Sequence, residues 1–138
     1  MNSEPVLSQQ DSTIVKESWK KVNSRISIER VGIELCKKFK ELVPGLDSSL
    51  GNDELQDFCH SVITTTNRLV QNITNTQWLK SIALRMGTIY GVDVNGYVVL
   101  EDAIIETLQE LLQEEFTIED RQSWEMFYKH LHQLPKYQ

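Results

Sequence analysis

Apolar positions recur every three or four residues along nearly the whole chain, a spacing that predicts helices. Ile14, Val15, Trp19 and Val22 form the first stripe, on a helix expected from Ser8 to about Val22. Ser8 with Asp11 three residues on is a capping-box variant, Asp standing for Glu. Val31, Leu35, Cys36, Phe39, Leu42 and Val43 place a second helix at 28–43, and Pro44 stops it. The turn-rich run 44–53 reads as a corner. Leu55, Phe58, Val62, Thr66, Leu69, Val70 and Ile73 predict a third helix over 53–73, broken by Thr74-Asn75-Thr76. Trp78, Leu79, Ile82, Ala83 and Met86 predict a fourth over 76–89, with Gly87 and Gly91 at its end. Val92–Gly96 reads as the next corner. Leu100, Ile104, Leu108 and Leu111 carry a fifth helix to about Glu115. Thr117 with Asp120 caps a sixth over 118–133, carrying Trp124, Phe127, Tyr128 and Leu131, and Pro135 closes it. Gly96–Leu100 resembles a short strand, but the stripe downstream favours helix. The fold class expected is all-α.

Length sharpens this picture: 138 residues fit one domain, 1–138, with 1–7 as a flexible N-terminal tail. No apolar run is long enough to span a bilayer. The opening Met-Asn-Ser-Glu-Pro-Val-Leu has neither a basic start nor an apolar stretch, so no secretory signal is expected and a cytoplasmic protein is. Asn72-Ile73-Thr74 matches a glycosylation sequon, which has meaning only on secretion. The net charge of -6 argues against nucleic acid as a partner. Lys37, Lys38 and Lys40, and the acidic Glu110, Glu114 and Glu115, read as solvated faces. Cys36 and Cys59 fall on apolar stripes and read as small, reduced core residues, with a redox or ligand role as the alternative. No phosphate loop, nucleophile elbow or zinc-spaced cluster is present, so no enzyme is expected.

The order of landmarks resembles the globin family over about residues 7–133. Leu7-Ser8 and Val15–Trp19–Val22 are similar to the first globin helix, and Leu35, Phe39 and Pro44 to the second and its proline turn. Val62, Asn67, Val70, Asn72 and Ile73 are similar to the distal helix. Gly91-Val92, Tyr97, Leu100, Ala103-Ile104-Ile105 and Leu108 match the following loop and penultimate helix, and Phe116-Thr117, Trp124 and Tyr128 the last. The resemblance implies a globin-like fold of about six to eight packed helices. It implies pocket-lining positions at Leu35, Phe39, Phe58, Val62, Met86, Gly87, Tyr90, Val92, Tyr97 and Leu100.

Globins hold haem iron through a proximal histidine. The resemblance puts that position at Met86 or Gly87, and neither is histidine. It puts Phe58 at the distal gate. His60, two residues on, lies about 200° around the helix. A shifted register would bring His60 to the gate but put Thr64 where Val62 fits. The haem-wedging phenylalanine should fall near Ser49 or Leu50, and no Phe occurs between 40 and 57. If haem is bound, its ligands are Met86, Tyr90 or His60; otherwise no metal or cofactor is expected.

The reading that follows is a globin-fold protein released from haem binding, serving as a sensor or interaction module with a protein partner or as a homodimer. Its alternative is a haem-binding globin for O2 binding, transport or redox chemistry with an unusual ligand set. A second alternative is a carrier of an apolar ligand such as a fatty acid, bound in the vacated pocket.

Overall fold

The computed structural model describes residues 7–44, 51–85 and 94–136. Within them all regular structure is helical. Six α-helices follow one another: α1 (Gln9–Arg25), α2 (Ile28–Leu42), α3 (Asn52–Gln71), α4 (Thr76–Ala83), α5 (Val94–Leu112) and α6 (Ile118–Gln133). Two short 3-10 turns, Gln113–Glu115 and Leu134–Lys136, extend α5 and α6.

Short polar side chains start the helices by satisfying orphan N–H groups. Ser8, Ser27, Asn75 and Thr117 accept from the backbone of Asp11, Arg30, Trp78 and Asp120 respectively. At Thr117 the box is complete, since the Asp120 carboxylate accepts the Thr117 N–H at 2.8 Å. At Ser8 only half of the expected box forms. The Asp11 carboxylate accepts instead from Ser8 Oγ at 2.9 Å and from Ser123 Oγ at 2.8 Å. Asp11 thus ties the start of α1 to α6.

One hydrophobic core unites the helices. α2 packs against both α3 and α5, α1 lies along α6, and α4 rests on α6 and the turn that follows it. Two regions of this core differ in character. Between α1, α3 and α6 it is aromatic, with Trp19, Trp124, Phe127 and Tyr128 in ring contact. Both indoles find acceptors, as buried Trp requires. Trp19 Nε1 donates to Asn67 Oδ1 at 2.9 Å, and Trp124 Nε1 to Ser18 Oγ at 2.8 Å. Between α2, α3 and α5 the core is mainly aliphatic. At Gly32 the α2–α3 crossing is close: a Cβ there would lie 3.5 Å from His60 Cα and 3.9 Å from the Cys59 carbonyl oxygen.

Surface charges lace the helices together. Lys38 bridges Glu41, at 2.8 Å, and Glu110 on α5, which holds its ammonium well above the ordinary lysine range. Arg121 Nη2 meets Glu106 Oε1 at 2.7 Å, linking α6 to α5.

Three boundaries differ from the expectation. The corner drawn at Val92–Gly96 is already helix from Val94. Gly96 sits in the first turn, where helical N–H groups have no intrahelical partner, so it does not break the ladder. α5 ends at Leu112 rather than near Glu115, because Gln113 turns left-handed at φ 51°. The α-helical part of the fourth segment ends at Ala83 rather than running unbroken to 89. The tail through residue 6, the corner at 45–50 with Ser49 and Leu50, and the segment 86–93 lie outside the described residues.

Candidate functional site

Of the positions that the globin resemblance implies for the pocket, five lie among the described side chains. Leu35, Phe39, Val62 and Leu100 are buried members of the common core. Phe58 is half-buried and packs against that core. Its ring faces Phe39 with centroids 6.2 Å apart and planes tilted by 39°. Met86, Gly87, Tyr90 and Val92 lie outside the described residues, as does the side chain of Tyr97.

Period explains the placement. Leu35 and Phe39 are four residues apart on α2, as are Phe58 and Val62 on α3, so each pair shares a helix face. His60 falls off that face. It is exposed and borders a shallow depression of about 200 Å³ with Gly32, Ile33 and Asp57. His130 is buried near the start of α1 and the 73–76 corner, beside Leu7, Ser12 and Ile73. Burial lowers its pKa below the ordinary 6.5. His132 meets both carboxylate oxygens of Glu101, at 2.8 and 2.9 Å. Glu101 is only 7% exposed, and burial raises its carboxyl above the ordinary 4.5 while His132 opposes that rise. Among the described residues no three His, Cys, Asp or Glu side chains gather into a metal-binding group.

Cys36 on α2 and Cys59 on α3 are both buried members of the common core. Burial pushes Cys59 up to about 12, and Cys36 adds to the rise, so Cys59 stays a thiol at neutral pH. A thiol is a poor iron ligand, because the thiolate is the species that binds metal.

A cleft of about 620 Å³ lies at the α1–α2 corner, lined by Trp19, Asn23, Ile26, Ile28, Asn67 and Val70. Among the residues proposed for the pocket, none borders it. Asn23 donates to the Trp19 carbonyl at 2.9 Å, while its buried Oδ1 meets no donor among the described residues. Neither this cleft nor the Glu101–His132 pair was anticipated. Both depend on which helix ends meet, which apolar spacing along one helix does not encode.

No family model matches the sequence, and no curated protein matches it.

Proposed function

We propose that this chain is a globin-fold protein without haem, serving as a sensor or interaction module through its helical surface. The observation that carries the reading is the contact between Phe58 and Phe39. The position where the resemblance expects a distal polar residue holds an aromatic ring packed on the core. His60, the one histidine nearby in sequence, stands on the exposed side of α3. Met86 to Val92 contains no histidine either. The chain therefore lacks the proximal and distal histidines of a haem globin, and no step through haem is derived. The packing of α2 against two partners, and of α1 along α6, supports the globin part of the reading, since globins pack helices pairwise about a central pocket.

Restoring the missing chemistry tests both halves. Met86→His and Gly87→His, each combined with Phe58→Ala, are titrated with haemin. One of the two doubles gains saturable uptake with a sharp Soret band if the scaffold is a globin lacking only its ligand and its open gate. If neither double does so while both remain helical by circular dichroism, the globin register is wrong.

A further inference from the structure

We propose that the cleft between the starts of α1 and α4 binds a phosphate-type oxyanion, free or carried on a small molecule. The cleft holds about 470 Å³, within the range of small-molecule sites. Leu7, Ser12 and Lys16 line it from the start of α1, Ile73 and Thr76 from the corner that opens α4, and His130 from α6. Two polar side chains on its wall lack hydrogen-bond partners among the described residues. Ser12 and His130 are each 5% exposed, and neither the Ser12 hydroxyl nor the His130 ring is bonded to another described group. Three other buried hydroxyls turn back along their own helix: Ser18 donates to the Val15 carbonyl at 3.0 Å, Thr66 to that of Val62 at 2.9 Å and Thr107 to that of Ala103 at 2.7 Å. Ser12 does not. Buried polar groups are ordinarily hydrogen-bonded, so two orphans on one wall point to an occupant that supplies the missing partners.

The setting selects an anion. The positive ends of two helices open on the cleft, through Gln9 of α1 and Thr76 of α4. Among the described residues that line it, Lys16 carries the one fixed charge and no carboxylate appears, in a chain of net charge -6. Asp11, in the first turn of α1, does not border the cleft, and its carboxylate is engaged by Ser8 and Ser123. A tetrahedral oxyanion presents acceptors in several directions and so suits donors arriving from α1, α4 and α6 together. Leu7 and Ile73 offer apolar surface to an organic carrier.

His130 couples binding to protons. Burial lowers its pKa below 6.5, so the empty cleft holds a neutral ring that donates one N–H. A bound anion favours the protonated ring. The charged groups around His130 are Lys16 in this cleft, and Asp11 and Lys129 in a second depression that His130 also lines; the 73–76 corner contributes none. The inference uses none of the pocket positions and is independent of haem and of the globin reading.

The experiment titrates the isotope-labelled full chain with inorganic phosphate, with glycerol phosphate and with chloride at matched ionic strength, following backbone amides and the His130 ring by NMR. The expected result is a set of saturable shifts at Ser12, Thr76 and the His130 ring that chloride does not produce. Lys16→Gln weakens this binding by about tenfold. Lys16 is exposed, so the variant leaves the core intact. Tighter binding of glycerol phosphate assigns the site to an organic phosphate, and equal affinity assigns it to the inorganic ion. Sulfate, whose charge stays constant over this range, reads the proton coupling. Its affinity rises as pH falls through 6.5 in the wild type and stays flat in His130→Gln. The proposal is overturned if the cleft shows no saturable shift, if chloride reproduces the shifts, or if sulfate binds the wild type with a flat pH profile. The wild-type ring signal decides these outcomes even where His130→Gln does not fold.

Discussion

Ser18 shows how much rests on one hydroxyl. It donates to the Val15 carbonyl at 3.0 Å and accepts from the fully buried Trp124 indole. Ser18→Ala strands that N–H in the core, and we expect a loss of about 1–3 kcal/mol in urea unfolding. Ser18→Thr keeps the acceptor and distinguishes this cause from simple repacking. Two buried titratable groups act on stability with opposite signs. Glu101 holds its proton more tightly in the folded chain than in the unfolded chain. Its protonated form contributes stability that is fully present below 4.5 and is lost as pH rises through the raised value. His130 is the reverse, since the unfolded chain binds its proton better. Stability falls as pH drops below 6.5 towards the lowered folded value. Urea midpoints between these pH values separate the two: Glu101→Gln removes the loss on the alkaline side, and His130→Gln removes the loss on the acid side. If neither variant changes the slope, the two groups titrate alike in both states. None of these partnerships was legible in the sequence. Ser18, Glu101 and His130 are polar residues on buried helix faces, and their roles come from residues over 30 positions away or from burial that only the packed molecule creates.

Helices were the legible part. The stripes of α1, α3 and α6 named their faces correctly, as did that of α2 except at Leu42, which is 43% exposed; Ser8, Pro44 and Thr117 marked ends that the structure keeps. Breakers misled where position mattered more than type, as at Gly96 in the first turn of α5. The left-handed Gln113 carried no sequence signal, because glycine is the residue expected there. Gln113→Gly should therefore raise stability by about 1 kcal/mol, read from the urea midpoint. A fall would mean that Gln113 makes compensating contacts. At the α2–α3 crossing the test runs the other way. A methyl group at position 32 meets only ordinary van der Waals contact, and alanine is the better helix former. Gly32→Ala is expected to be neutral or stabilising by up to about 1 kcal/mol. Gly32→Leu forces the helices apart and costs about 1–3 kcal/mol. Equal effects of the two would contradict the close crossing.

At the scale of the molecule, the all-helical class followed from periodicity, while the proposed pocket positions were legible only as helix faces. The spacing of Leu35 with Phe39 and of Phe58 with Val62 put each pair on one face, and Phe39 of the first pair meets Phe58 of the second. The Phe39–Phe58 contact itself required knowing which helices meet. The central proposal is that this helical scaffold does not hold haem iron. The most direct measurement is a haemin titration of the unmodified chain, followed by its absorption spectrum. The account predicts a broad, non-saturating spectrum like that of free haemin. A sharp Soret band reaching a plateau at one haem per chain would contradict it.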